Sequence, residues 1–230
     1  FPGSLAWAAF QLHGDGEYRL PRVAPRKAAT KAAEAKAAEP YDLRAIRALE
    51  QRGVPEPGLY AIDASAVPPS LNGPDAFSML QGRALLFIHG MGSSMLGSFA
   101  GMWSSDNLAA WQQLASAYSG RMLCFEHWGL SRSPLENALE LVRALPFGIE
   151  LTVLSVSDGG LIGELLCRAG RVADQPGWED DDFWESAGRT EETAAPFDEA
   201  DFALFDGAAR ETLERLAKEM MSKSLRIVDF

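Results

Sequence analysis

Histidine is scarce in this 230-residue chain: there are three, His13, His89 and His127, and none follows position 127. Cysteine is scarcer still, with Cys124 and Cys167 alone. No Cys/His cluster has zinc-ligand spacing, so no structural metal is expected. The two thiols fall in a predicted strand and a predicted helix. They read as small buried hydrophobes of a reducing, cytoplasmic compartment and not as a disulfide framework. No apolar run approaches the roughly 20 residues needed to span a bilayer, so no transmembrane segment is expected. Basic charge is in deficit, at 21 Lys and Arg against 32 Asp and Glu, for a net charge of −11. A phosphate-binding footprint is basic, so a nucleic-acid partner is excluded.

That deficit is local. Residues 174–206 carry twelve acidic residues and one basic residue, Arg189, while the rest of the chain balances. Trp178, Phe183, Trp184, Phe197, Phe202 and Phe205 are interleaved with those carboxylates. A solvated loop whose aromatics pack back on the core is the plainest reading, and a lid or a partner-recognition segment are the alternatives. Asp180, Asp181 and Asp182 are consecutive and lack the alternate-position spacing of a calcium loop.

With 47% hydrophobic residues and six Trp, the chain has material for a substantial core. Residues 1–83 read as N-terminal edge strands (7–12, 18–20, 59–62), an Ala/Lys-rich linker at 24–39, a helix capped by Asp42 and a Pro-rich loop at 67–74. From Ala84 to residue 230 apolar β runs alternate with amphipathic helical runs. Strands are expected at 84–88, 122–126 and 151–154. Helices are expected from Asp106 to Gly120, from Pro134, over 161–167, and over 207–223. This alternation predicts an α/β fold with a mainly parallel sheet flanked by helices, and an acidic insertion at 174–206.

Two loops in that frame carry chemistry. The strand Leu151–Leu154 runs through Ser155-Val156-Ser157-Asp158-Gly159-Gly160 straight into a helix. That layout is the one a nucleophile elbow has, which would present Ser157 at the carboxyl end of the sheet, and a plain tight strand-to-helix turn is the alternative. Earlier, Ala84–Ile88 ends in His89-Gly90-Met91-Gly92-Ser93-Ser94, a Gly-rich turn that leaves backbone N–H groups unobstructed. A dinucleotide fingerprint would need glycine where Met95 stands, and a phosphate loop would need Lys where Ser98 stands, so nucleotide cofactors are not expected.

FIHGMGSS, CFEHWGLSRSP and LTVLSVSDGGLIGE together resemble the α/β-hydrolase fold of the lipase and esterase type, over about residues 82–170. The resemblance implies Ser157 as nucleophile, the backbone amides of Met91 and Asp158 as oxyanion hole, structural roles for His89 and His127, no cofactor, and a small acyl substrate. The sequence departs from the family at four points. Ser155 replaces a usual Gly, Val156 a frequent His, and Asp158 sets a carboxylate beside the oxyanion site. The fourth is that the family's acid and His follow the elbow, and no His follows Ser157 here. Phe1-Pro2-Gly3-Ser4 has neither an initiator Met nor a signal-peptide plan, and Ser224–Phe230 reads as the start of a strand. The expectation is a piece of a longer polypeptide whose remainder supplies acid and His. Two functions follow: an ester or amide hydrolase acting through Ser157 when so completed, or a non-catalytic interaction or regulatory module with a protein partner.

Overall fold

The computed structural model describes residues 43–77, 80–173 and 207–230. Helix α1 (Leu43–Gly53) precedes a hairpin of strands β1 (Gly58–Asp63) and β2 (Ser70–Asn72). Then come β3 (Gly82–Ile88), a single turn α2 (Met95–Ser98), α3 (Leu108–Ala117), β4 (Met122–Glu126), α4 (Pro134–Ala144), β5 (Ile149–Ser155) and α5 (Asp158–Ala173). Helix α6 (Gly207–Ser222) and strand β6 (Arg226–Asp229) complete the described residues. The six strands form one sheet in the order β2-β1-β4-β3-β5-β6. Strands β4, β3, β5 and β6 are mutually parallel, and β1 is antiparallel to both β2 and β4. The fold is therefore α/β, with a mixed, mostly parallel sheet flanked by helices.

Strand β3 is the middle of this arrangement, and its sequence says why. A strand with parallel neighbours on both sides is buried on both faces and reads as a continuous apolar run. Ala84 to Ile88 are all buried. Alternate side chains then feed two cores. Ala84, Leu86 and Ile88 join Leu123, Phe125, Leu151 and Val153 beneath α4, α5 and α6. Leu85 and Phe87 join Met122, Cys124, Trp103 and Trp111 on the opposite face. There Phe87 meets Phe99 edge-on at 5.1 Å, and Trp103 meets Trp111 at 5.5 Å.

The helices follow their signals. Pro134 occupies the first turn of α4, and Ser133 and Glu136 form a reciprocal capping box. Its Leu135, Ala138, Leu139 and Val142 are buried as expected. Leu213, Leu216 and Met220 of α6 are buried too. Helix α3 begins at Leu108, after Asn107, and Asp106 lies in the preceding turn. Helix α5 is longer than its apolar run suggested, starting at Asp158 directly after the elbow. The segment 59–62 is a strand but not an edge one. Residues 70–72, expected as loop because prolines dominate the region, pair antiparallel with Ala61–Asp63 and become the edge themselves. The expected strands at 7–12 and 18–20, the linker and the acidic insertion lie outside the described residues.

Register sets the site. Ile88 of β3 pairs with Ser155 of β5 and with Phe125 of β4. Three parallel strands thus end level, and the loops after β3, β4 and β5 emerge side by side at their carboxyl ends. The chain runs from β3 to β4 on one side and then to β5 on the other, so this is also where the strand order reverses. Open α/β sheets place their sites in such a crevice.

Candidate functional site

The turn after β5 is strained at one residue. Val156 N–H still bonds to Ile88 O at 3.1 Å, as if the strand continued. Ser157 then adopts φ +55°, and α5 starts with Gly159 N–H on Val156 O and Gly160 N–H on Ser157 O. A left-handed conformation at a non-glycine residue costs on the order of 1–2 kcal/mol and persists only where its surroundings enforce it. Ser157 is exposed at the tip.

Two glycines do the enforcing. A Cβ on Gly159 would lie 2.5 Å from Ile88 O and 2.6 Å from His89 O, both backbone atoms. Only hydrogen fits, so α5 is seated against the end of β3. A Cβ on Gly90 would lie 3.1 Å from Ser157 Cβ and 3.3 Å from Val156 O. The Gly-rich loop after β3 therefore abuts the serine. At Ser155, the departure from Gly is accommodated in a half-buried position at the end of β5.

The sequence-predicted oxyanion residues also converge. A Cβ on Gly129, in the loop after β4, would lie 2.7 Å from Asp158 Oδ2, 3.4 Å from Met91 Cα and 3.5 Å from Met91 Cγ. Met91, Asp158 and Gly129 thus meet at one spot beside the elbow. Hydrogen bonds pin the surrounding loops. Ser98 Oγ accepts from Gly90 N–H at 3.3 Å and Glu126 Oε1 accepts from Met95 N–H at 2.8 Å. Glu50 of α1 accepts from Leu130 N–H at 2.6 Å and from Ser131 Oγ. Asn137 of α4 donates to Trp128 O at 3.0 Å.

Beneath these loops lies a buried polar cluster that the sequence only half revealed. His89 and His127 are stacked, with ring centroids 4.2 Å apart. His89 Nδ1 lies 2.8 Å from Gly90 O and so carries the proton, and its Nε2 accepts from His127 N–H at 3.0 Å. His127 Nε2 lies 3.0 Å from His89 O and is likewise the N–H nitrogen, which leaves Nδ1 with a lone pair. Both imidazoles hold loops through these hydrogen bonds, and neither is seen hydrogen-bonded to Ser157. His13 lies outside the described residues. Glu126 was not anticipated. It ends the apolar run MLCFE, and a charged residue closing a buried strand beside a histidine was the available signal. Glu50 gave none, since one Glu on an amphipathic helix is ordinarily solvated.

Burial sets the charges. It pushes the Glu126 carboxyl up to about 7, against the lowering effect of the Met95 N–H. Burial and the neighbouring His127 pull His89 down to about 4. The 3.4 Å approach of His89 Nε2 to Glu126 Oε2 thus joins an imidazole and a carboxyl whose charged forms are both disfavoured by burial. His127 is lowered by burial and Asp158 raised by it, each partly offset by the other. Among the described residues no cluster of three or more His, Cys, Asp or Glu could hold a metal ion, and no helix is long and apolar enough to cross a membrane.

Two predictions follow from this geometry. Replacing Gly159 by Ala forces α5 off the β3 carbonyls and is expected to cost about 2–3 kcal/mol, the upper range for overpacking. Urea denaturation with the Ser155→Ala variant as a tolerated control measures it, and an unchanged midpoint would refute the close seating. The second concerns pH. A carboxyl raised in the folded state binds its proton more tightly there, so its contribution falls as pH rises from 4.5 to about 7. Glu126→Gln keeps the neutral shape without titrating. Its stability relative to wild type should rise by roughly 3 kcal/mol across that window. A difference that stays constant with pH would show that Glu126 is ionised.

A family described as a domain of unknown function, DUF7379, matches residues 57–179. The match runs from just before β1 past the end of α5 and so contains all three site loops. No curated protein and no solved structure matches the chain. With more than half of its length matched, the chain belongs to the DUF7379 family.

Proposed function

We propose that this chain is a serine-hydrolase-like domain with an α/β-hydrolase-like core, in which Ser157 is the nucleophile for carboxylic ester or amide hydrolysis. The observation that carries the reading is the exposed serine at φ +55° between a parallel strand and a helix, opposite a glycine loop. Acyl transfer needs those parts: a hydroxyl raised above the sheet and main-chain donors where negative charge develops. In the proposed reaction Ser157 Oγ attacks the acyl carbon and loses its proton to a base. The carbonyl oxygen, now an anion, is received by the Met91 and Asp158 N–H groups. Collapse expels the alcohol or amine, which takes up the proton, and water then hydrolyses the acyl-enzyme. A serine needs a positioned base to be an effective nucleophile. With His89 and His127 committed, that base comes from outside the described residues.

The same commitment of both histidines favours a second reading. Without an activating base the elbow is a rigid surface feature, and the domain serves as an interaction or regulatory module with a protein partner. A fluorophosphonate probe on the full-length polypeptide separates the two. Covalent labelling at Ser157, abolished in Ser157→Ala, is expected for the hydrolase. Absence of adduct at residue 157 in folded wild-type protein, judged by circular dichroism, would remove the enzymatic reading and leave the module.

A further inference from the structure

The fold uses only one oxygen of Glu126. The side chain is 7% exposed, and its Oε1 accepts from Met95 N–H at 2.8 Å. Its Oε2 is buried and has no hydrogen-bond partner. His89 Nε2 stands 3.4 Å from it but accepts from His127 N–H, so it has no proton to offer. A proton carried on Oε2 itself would meet that same occupied nitrogen, at a separation longer than O–H hydrogen bonds adopt. Native structures rarely leave such a group unpaired.

The same residue lines a cavity of about 330 Å³ between the segment after α1, the β1–β2 hairpin and α2. That volume lies at the lower end of the roughly 300–1,000 Å³ usual for ligand pockets. Strand alternation aims the carboxyl there. Gly58 pairs with Glu126 and Tyr60 with Cys124, so Glu126 and Tyr60 stand on one face of the sheet. Val54, Pro55, Leu71 and Leu96 give the cavity apolar walls. Its rim is held in place: Trp128 Nε1 donates to Val54 O at 3.0 Å, and the Tyr60 hydroxyl donates to Glu56 O at 2.8 Å. The Tyr60 proton is thus engaged elsewhere. Glu56 adds a second acidic side chain, and no Lys, Arg or His stands among the described residues of the lining.

We propose that this cavity binds a small apolar primary ammonium ion, its hydrocarbon body against Leu71, Leu96 and Tyr60 and one N–H donated to Glu126 Oε2. The ammonium supplies the donor that the orphaned oxygen lacks, and a charge opposite to that of both acidic side chains. An alcohol of the same length brings the donor without the charge, and a carboxylate is repelled. Burial raises the Glu126 carboxyl to about 7, so the entering cation displaces the proton held there. The other titratable groups around it are His89, Tyr60, Cys124 and Glu56. His89 is lowered to about 4 and stays neutral, and burial raises the Tyr60 and Cys124 groups, which stay neutral too. The site is independent of whether Ser157 reacts.

Isothermal titration calorimetry of the full-length protein with n-hexylammonium chloride tests the site, with n-hexanol and sodium hexanoate as controls of equal chain length. The ammonium is expected to bind roughly tenfold or more tightly than either control. Glu126→Gln keeps the shape of the carboxyl and should weaken ammonium binding roughly tenfold or more. Leu96→Lys changes a side chain that is 40% exposed and sets a competing cation on the cavity wall, so it should weaken binding as well and guards against loss of folding in the first variant. Wild-type affinity should rise between about pH 6 and about pH 8, and that rise should vanish in Glu126→Gln. Equal affinity for the ammonium and the alcohol, or no binding of the ammonium to protein shown by circular dichroism to be folded, would overturn the site. Binding as tight in both variants as in wild type would put the ammonium elsewhere and overturn the assignment to this cavity.

Discussion

The contact on which the site depends is the seating of Gly159 against the carbonyls of Ile88 and His89. It brings the first turn of α5 onto the end of the central strand, where no side chain has room. Once that is fixed, the chain between β5 and α5 has two residues in which to reverse. Val156 remains tied to Ile88 O, so the turn falls on Ser157 and drives it to positive φ. The serine is exposed because the strand and the helix leave it no other direction. The strain is local and is offset by the parallel pairing of β3 with β5, whose full register from Gly82 to Ile88 is hydrogen-bonded.

The polar cluster beneath has a different economy. Four titratable side chains, Glu126, His89, His127 and Asp158, are buried within the space of three loop bases. As full charges they would face a desolvation cost that no pairing here recovers. Three of them, His89, His127 and Glu126, are instead held in directed hydrogen bonds to loop backbone. His89 ties its own loop to the loop after β4, and Glu126 reaches back to α2. Burial displaces Glu126 and His89 in opposite directions, with His127 adding to the lowering of His89, so the carboxyl holds a proton more tightly than the imidazole does in the folded state. The imidazole is the more basic of the two in water. The fold thus inverts the ordinary order of proton affinity in this pair.

Much of this was legible in the sequence. The strands 84–88 and 122–126 announced themselves as short apolar runs, and α4 by its Pro and capping box. A sharp strand-to-helix turn at Ser157 was readable because an apolar β run passes through Ser155 and a glycine pair directly into a helical run. Less legible was the placing of β1. Its apolar alternation showed that it was a strand, but whether a strand is an edge depends on a partner. The partner, Ser70–Asn72, is three residues long and preceded by prolines that argue locally for a loop. The inward turn of Asp158 was hidden for the same kind of reason. Its sequence position set a carboxylate beside the proposed oxyanion amides, and only the tertiary placement of Gly129 shows the carboxyl turned inward against the loop after β4.

These two features, the strained turn and the buried polar cluster, are mechanically one. Gly129 lies against both Asp158 and Met91, and the loop bearing it is held by Glu50 from α1 and Asn137 from α4. Movement of that loop would disturb the carboxyl under the elbow and the glycine turn opposite it together. An oxyanion site draws its strength from donors fixed before the charge appears. Here the rigidity comes from below, through the hydrogen bonds that hold the loop bases. The proposed base is the part not built into this scaffold. A scaffold of this kind keeps its shape whether or not a base arrives, so the geometry of the elbow constrains where a nucleophile stands more tightly than how fast it reacts.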